Sequence, residues 1–341
     1  MGDGKCVADG FSYCFLTFSI PHPGLLDAVK YNKLSVESIE SESIMSRLSE
    51  IPFESEPTGV KAAVKSYWSK RSSSFSEHKH DEAHSYKAEL WRNELCERLP
   101  AGDSLRILDV GCGAGFFEMV LAPLGYRMTG IDLTPEMISQ AKQLCGRHRA
   151  AAAEFYVMDA EHPDFPDGYF DAVISRNLTW TLPHPAEAYK EWYRVLKTGG
   201  ILLNYDAEYA KGFHKYDQAE NLAHEKVTDD LVEECHNIYH MLSVSALDRP
   251  EWDLQVLDKI GFSEVDADRG AGDRLYAEKD QFYMPDRMFC IRAVKVVAKS
   301  WKHCATRVFR SRWFRVLPQL LVAQPIRVFR SRIAIMPRAC A

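Results

Sequence analysis

Hydrophobic positions are unevenly spaced along the chain, and their spacing divides it. Residues 1–57 show no sustained period, and Ser and Glu dominate residues 35–56 before Pro57. Such a stretch buries too little apolar surface to order itself, so it reads as a loosely ordered extension. From Val60 to Leu99 the apolar residues Tyr67, Trp68, Phe75, Tyr86, Leu90, Trp91, Leu95 and Leu99 recur at steps of three and four. That period predicts helix up to the break at Pro100-Ala101-Gly102-Asp103. Short apolar runs then alternate with helical ones. Strands are predicted at 105–110, 126–131, 154–158, 169–175 and 200–205, and helices at 116–124, 135–145 and 185–196, with Pro135 at a first helical position. Strand and helix alternating at this spacing predict βαβ units, a parallel sheet and helices on both faces. Residues 206–250 lack a strand pattern and read as a helical lid inserted after the fifth strand. A helix at 252–260, a strand at Asp273–Lys279 and a last strand at Met288–Val297 complete the reading. The expected organisation is an extension over 1–57, a domain over 58–298 and a tail over 299–341.

Charge sharpens the division. The 341 residues carry 42 Lys and Arg against 48 Asp and Glu, a formal charge of −6. Ten of the basic residues and no acidic one fall in 299–341, which leaves 32 against 48, or −16, for residues 1–298. An acidic body argues against a nucleic-acid groove, because phosphate contacts need clustered Lys and Arg. The tail repeats Arg307-Val308-Phe309-Arg310-Ser311-Arg312 at 327–332, fewer copies than a repeat architecture needs. Its mix of Arg with apolar residues fits an anionic membrane surface. The prolines at 318, 325 and 337 favour an extension outside the chemistry.

The nine cysteines are scattered, odd in number and without a C-x-x-C pair, the usage of a reducing compartment. The apolar run Phe11–Ile20 follows Asp3 and Asp9 instead of a basic segment, and it is shorter than the about 20 residues of a membrane span. Cys6 stands where a myristoylation motif needs Ser or Thr. A cytoplasmic protein is expected.

The densest chemical signal is Asp109-Val110-Gly111-Cys112-Gly113-Ala114-Gly115, a strand end running into glycines before a helix. Glycines let the backbone turn sharply and let a ligand approach where a Cβ would collide. Phe116 replaces the last glycine of a dinucleotide G-x-G-x-x-G, so no diphosphate cradle is indicated. Asp132 ends the second strand, where a carboxylate can accept both hydroxyls of a ribose. Asp159 follows the third strand, within reach of an adenine amino group.

Residues 105–205 resemble the class I S-adenosylmethionine-dependent methyltransferases, and most of all the small-molecule branch that includes the ubiquinone/menaquinone methyltransferases. The similar stretches are LDVGCGAG (108–115), GIDLTPEMISQAK (130–142), VMDAE (157–161), FPDGYFDAVISR (165–176) and EWYRVLKTGG (191–200). The resemblance implies a doubly wound, mostly parallel seven-stranded sheet of the Rossmann-like methyltransferase kind, S-adenosyl-L-methionine as cofactor and a small-molecule methyl acceptor. It implies that Asp109, Gly111, Cys112, Gly113 and Gly115 surround the methionine end. Asp132 would hold the ribose, Leu133 lie against adenine, and Asp159 with Ala160 read the adenine edge. Ser175 to Asn177 would line the sulfonium and the acceptor, and Tyr67 or Phe75 cap the methionine. Two departures stand out. Thr198 replaces the usual Pro of the K-P-G-G turn, and Asn177-Leu178-Thr179-Trp180 replaces a His-containing run. That second segment stands where amino-group methyltransferases carry an Asn- or Asp-Pro-Pro-aromatic motif, which points to Asn177 as the catalytic residue and to a small amine as acceptor. Oxygen and carbon acceptors stay open.

Each residue also has a plainer reading. Cys112 serves as a small spacer in the loop, since methyl transfer from a sulfonium needs no thiol. His78, His80 and His84, and the pair His236 and His240, have spacings that solvated helix faces explain, so no metal is assigned. His184, His214 and Tyr209 are candidate bases for a hydroxyl or carbon acid. Trp180, Tyr205, Tyr209, Phe213 and Tyr216 form either an aromatic wall at the acceptor or ordinary core. Two rival functions share parts of the pattern: a nucleic-acid methyltransferase using the basic tail, and a nicotinamide-dependent oxidoreductase of the same fold class.

Overall fold

Apolar runs such as Ile107-Leu108 and Val173-Ile174 need cover on both faces, and a parallel sheet between helices supplies it. In the computed structural model, which describes residues 59–102, 104–147, 150, 152–212 and 227–296, seven strands form one sheet. They are β1 (Arg106–Val110), β2 (Arg127–Asp132), β3 (Glu154–Val157), β4 (Phe170–Arg176), β5 (Leu196–Asp206), β6 (Phe262–Asp268) and β7 (Phe289–Lys295). Their order is β3-β2-β1-β4-β5-β7-β6. The first five are parallel, and β7 runs antiparallel to both β5 and β6. The helices are α1 (Val60–Ala83), α2 (Lys87–Arg98), α3 (Phe116–Leu121), α4 (Pro135–Gly146), α5 (Pro185–Val195), α6 (Tyr209–Gly212), α7 (Asp229–Met241), α8 (Glu251–Ile260) and α9 (Ala271–Leu275).

Strand side chains alternate between faces, and the core divides accordingly. Ile107, Ile174, Leu203 and Tyr205 pack with Trp91 and Leu95 of α2 and Phe117 and Leu121 of α3. Leu108, Val110, Val173 and Leu202 pack on the other face with Tyr189 and Trp192 of α5 and Val256 and Leu257 of α8. Strand order reverses between β1 and β4, and this switch point opens a crevice at the carboxyl ends of the strands.

A buried polar network ties that edge together. Arg249, before α8, donates from Nε and Nη2 to Asp253 (2.9 Å each), from Nη1 to Asp206 at the end of β5 (3.0 Å), and from Nη2 to the Thr179 hydroxyl (2.6 Å). Asp206 also accepts from the Thr179 hydroxyl and from the Trp180 backbone N–H (3.0 Å). Tyr189 donates to Asp253 (2.6 Å), and Asn204 donates to Tyr189 (2.8 Å) and Thr179 (3.1 Å). Three elements and the 3-10 turn Thr179–Thr181 thereby share one set of charges.

Two expectations are corrected. The long helical stretch from Val60 breaks at residues 84–86, where the His84 N–H bonds to the carbonyls of both His80 and Asp81. The strand expected at Asp273–Lys279 is absent. Residues 271–275 form α9, because Ala271 and Leu275, one turn apart, both face the core, and the Gly272 N–H bonds to the Met288 carbonyl at 3.0 Å. The strand is Phe262–Asp268 instead, an edge strand whose Ser, Glu and Asp residues hide it from an apolar count. Residues 1–58, 213–226 and 297–341 lie outside the described residues, and with them the expected extension and tail. Among the described residues, no helix is long and apolar enough to cross a membrane.

Removing one partner from a buried charge network leaves the others uncompensated. Arg249→Met is expected to cost about 3–5 kcal/mol of stability by urea denaturation, because Asp206 and Asp253 lose the cation between them.

Candidate functional site

At the switch point the chain leaves β1 through the glycine loop. The N–H groups of Gly111 and Cys112 both bond to the Ile131 carbonyl of β2 (2.8 and 2.9 Å), which folds the loop back over the sheet edge. Gly113 has φ of 52°, and a Cβ there would lie 3.1 Å from the Phe75 ring of α1. The space over the loop therefore exists because the residue is glycine. A cavity of ≈260 Å³ opens there, between the loop, the ends of β2, β3 and β4, and the inward face of α1.

The cavity brings together most of the residues singled out by sequence. Asp109, Gly111, Cys112 and Gly113 line its floor, and Asp132 and Leu133 line one side. Asp159 and Ala160 follow, with Tyr67 on α1 and Asn177 after β4 opposite. The Asp132 carboxylate accepts from the N–H groups of Gly113 (3.1 Å) and Thr134 (2.9 Å). Burial pushes its carboxyl up, and these two donors pull it back. The Asp159 carboxylate accepts from the Glu161 N–H (2.9 Å) and from the Lys61 ammonium (2.8 Å), which also pairs with Glu161. Asp159, Glu161 and His162 group their ligand-type atoms closely, but Lys61 already supplies the cation on the two carboxylates.

Two of the expected residues lie outside the lining. Ser175 is fully buried, and its hydroxyl donates to the Val110 carbonyl at 3.0 Å, clasping β4 to β1. Gly115 is the left-handed cap of α3, where a Cβ would lie 2.9 Å from the Cys145 sulfur, so its role is packing. Asn177 adopts φ of 56°, a left-handed conformation that Asn tolerates better than most residues. Its side-chain oxygen accepts from the Tyr209 hydroxyl at 2.7 Å. Burial holds that phenol well above its ordinary range, so Tyr209 is a fixed donor and not a base at neutral pH. Burial likewise pushes the Cys112 thiol up, in keeping with a neutral spacer.

The aromatic wall is real in part. Trp180 lies 5.4 Å from Tyr209 and 4.9 Å from Tyr239 between ring centroids, and all three line the cavity. Tyr205 points instead into the core against Trp91, at 5.0 Å. Phe213, Tyr216 and His214 lie outside the described residues. His184 caps α5 outside the lining.

Sequence reasoning placed Tyr67 or Phe75 of α1 and residues 175–177 at the site, but gave no role to the basic side chains beside them. Arg71, His78, Lys79 and Arg176 all line the cavity. Their signal was a helix whose apolar period is interrupted by charges on the buried side. Burial pushes His78 down to about 4, which leaves a neutral imidazole. Glu118 was also missed. It lies fully buried beneath the loop beside Asp109, and the two carboxyls, sharing one desolvated site, are both pushed up, Glu118 to about 8.

Residues 108–204 match the family described as a methyltransferase domain. Over 108 residues the chain is 40% identical to the 2-methyl-6-phytyl-1,4-hydroquinone methyltransferase of Synechocystis sp., covering 31% of this chain and 33% of that one. Over 99 residues it is 36% identical to a ubiquinone biosynthesis O-methyltransferase of Xanthomonas oryzae pv. oryzae, covering 29% of this chain and 41% of that one. The chain thus spans between a third and about two fifths of these relatives' length. Among solved structures, phosphoethanolamine N-methyltransferase 2 of Haemonchus contortus in complex with S-adenosyl-L-methionine aligns at 18% identity and a TM-score of 0.43, over 61% of this chain and 53% of that one. The matched segment runs from β1 into β5 and takes in the glycine loop, Asp132, Asp159 and Asn177, so this part of the chain is similar to a methyltransferase domain.

The Glu118 carboxyl sets a pH dependence. The unfolded chain gives up this proton near the ordinary value of 4.5, whereas the folded chain keeps it to about 8. Unfolding therefore releases a proton between those values, and stability falls as pH rises through them. Glu118→Gln, which needs no proton, should melt at a higher temperature than the parent at pH 8. The gap should close as the pH is lowered towards 4.5; a gap constant with pH in thermal melts would remove the assignment.

Proposed function

We propose that this protein transfers a methyl group from S-adenosyl-L-methionine to a small-molecule acceptor. The observation that carries the reading is the convergence in one cavity of a glycine loop after β1, an acidic residue closing β2 and an acidic residue following β3. The donor set fits the cofactor. Asp132 would accept from the two ribose hydroxyls, Asp159 with Ala160 would read the adenine edge, and Leu133 would lie against its face. Asp109, with Glu118 buried behind it, would offer a carboxyl to hydrogen-bond the methionine end. The open space above Gly113 accommodates the chain between them.

When bound, the cofactor supplies a methyl group on a sulfonium, an electrophile that needs no further activation. The work left to the protein is alignment and exclusion of water. Tyr67, Trp68 and Phe75 stack edge to face along α1 (5.2 and 5.3 Å) and wall the cavity off from solvent. Asn177, held by Tyr209, fixes the acceptor's nucleophilic atom at the end of β4. His78 is a neutral imidazole of low basicity and Tyr209 holds its proton, so the cavity favours a nucleophile whose lone pair is already free. A small amine in its neutral form meets that requirement, and it is the acceptor class we favour. The relatives whose names specify O-methylation make a hydroxyl acceptor the second reading.

The direct test incubates the full chain with methyl-labelled cofactor and a metabolite extract, and identifies the labelled product by mass spectrometry. A product labelled on nitrogen supports the amine, one on oxygen replaces it, and no labelled product argues against the activity. Asp132→Ala is expected to weaken S-adenosylhomocysteine binding by about 2–4 kcal/mol in calorimetric titration, the loss of two hydrogen bonds to a charged acceptor. Unchanged affinity in a folded variant would sink the cofactor assignment. With the product in hand, Asn177→Ala should lower turnover roughly 100-fold while cofactor affinity stays nearly intact. Parallel loss of both would move Asn177 into the cofactor site.

A further inference from the structure

The wall of the cavity formed by α1 and the end of β4 has an unusual electrostatic make-up. Arg71, Lys79 and Arg176 all line it and are all nine-tenths or more buried in their side chains or as residues. Among the described residues, the carboxylate that touches Lys79 and Arg176 is Glu82, which is fully buried. It accepts from Lys79 Nζ (2.6 Å) and from Arg176 Nη2 (2.7 and 3.0 Å). Two of the three cations thus share one carboxylate. Asp109 lies across the floor, but its pairing with Glu118 holds it towards the neutral acid. Glu77 and Asp81 of α1 are exposed at the mouth. The crowding is felt by Lys79, pushed down to about 8 by burial and by Arg176.

Donors are left over as well. Arg176 uses Nη2 for Glu82 and Tyr276, and its plane lies 4.5 Å from Trp91 and 4.6 Å from Phe116, yet Nε and Nη1 have no partner. Arg71 gives Nη1 to the Ser74 hydroxyl (2.8 Å) and leaves Nε without one. Trp180 Nε1, in the same cavity, is also unpartnered. Buried donors without acceptors are costly, and buried cations in excess of anions more so. Every orphan named here is a donor, so the missing component is an acceptor-rich anion.

We propose that Arg176, with Arg71 and Lys79 beside it, forms an anion subsite, and that the small molecule methylated in this cavity carries a carboxylate or a phosphate that docks there. The proposal rests on the methyltransferase reading and narrows its substrate class. Arg176 immediately precedes Asn177, so an acid group held by its Nε or Nη1 donors places the rest of the acceptor beside the residue that aims its nucleophile. Arg176 suits this task, because its guanidinium stays charged and still has donors at Nε and Nη1 to give to an anion. The methionyl carboxylate of the cofactor carries the same chemistry, and saturation with S-adenosylhomocysteine separates the two sources.

The test uses the full chain saturated with S-adenosylhomocysteine and titrates inorganic phosphate and, separately, benzoate, by calorimetry and thermal shift. At least one of the two anions is expected to bind. Arg176→Gln should weaken that binding at least about tenfold, the loss of one charged hydrogen bond. Its affinity for S-adenosylhomocysteine should stay within about threefold of the parent, since only the anion site is removed. Arg176→Lys, which keeps the charge but not the planar set of donors, should fall between. If Arg176→Gln does not fold, Arg71→Gln is read in the same way. The proposal is overturned if neither anion binds the saturated protein, or if the variants bind anions as well as the parent. It is also overturned if anions bind only when S-adenosylhomocysteine is absent, which would give the subsite to the cofactor's own carboxylate. Failure of the parent to bind S-adenosylhomocysteine at all is a different result and strikes the methyltransferase reading itself.

Discussion

Arg249 fixes the geometry of the acceptor end. It lies fully within the protein between Asp206, which closes β5, and Asp253 on α8, and it reaches the Thr179 hydroxyl beyond them. An unpaired ion at that depth would be prohibitive, so the three elements cannot separate without exposing or stranding a charge. The consequence reaches the cavity through two short links. Asp206 accepts from the Trp180 N–H, and the Asn177 N–H bonds to the Tyr205 carbonyl at 2.8 Å. The loop carrying Asn177 and Trp180 is therefore held from both ends by β5. The two prolines of the amino-group methyltransferase motif are missing from this segment, and the network supplies by hydrogen bonding the rigidity that prolines would supply by restricting φ.

The same trade of apolar packing for polar contacts explains helix α1. Its buried face carries Arg71, Ser72, Ser76, Lys79 and Glu82 among Val60, Val64 and Tyr67. A helix packed only against core would bury apolar residues at those positions. Here one end of the face packs with α7 and Trp180, and the rest borders the cavity, where charges have water or a ligand to meet. The buried Ser72 and Ser76 hydroxyls turn back to the carbonyls of Ser69 and Ser73 (2.8 Å each), so they need nothing from the cavity. The cations are left as the groups that face it.

This division also explains what the sequence made legible. The sheet was readable because β1, β4 and the second half of β5 are apolar runs bounded by turn residues, and because helices such as α5 place Ala188, Tyr189, Trp192 and Val195 at helical spacing. Asp109, Asp132, Asp159 and the glycine loop were readable because strand ends and tight turns leave local marks. The edge strand β6 was not, since Ser263, Glu264 and Asp266 face solvent and carry no apolar period. Nor was the grouping of Arg176 with Lys79. They are separated by almost a hundred positions, and only the folding of α1 over the end of β4 makes them neighbours of Glu82. Ser175 was misplaced for a related reason. Consecutive strand residues face opposite ways, so next to Arg176 in the cavity, Ser175 turns its hydroxyl to Val110 in the sheet.

The two walls of the cavity differ in character, and that difference bears on the chemistry. Asp109, Glu118 and Asp132 lie on the side of the glycine loop, Arg71, Lys79 and Arg176 on the side of α1 and β4. In water the field of the cations would be screened to little, whereas between low-dielectric walls it persists over the width of a small ligand. Under the proposed reading the near-neutral carboxyls of Asp109 and Glu118 leave the glycine-loop side without a strong field of its own, and an acceptor bearing an anion is drawn to the basic side. The reacting atoms would then meet between the glycine loop and Asn177. Methyl transfer to a neutral nucleophile carries positive charge away from the sulfonium and towards the wall that holds the acceptor's anion. That anion, already fixed by Arg176, would stabilise the charge arriving on the nucleophile without any rearrangement of the protein. Preorganisation of this kind is how a site that supplies no covalent chemistry can still lower a barrier.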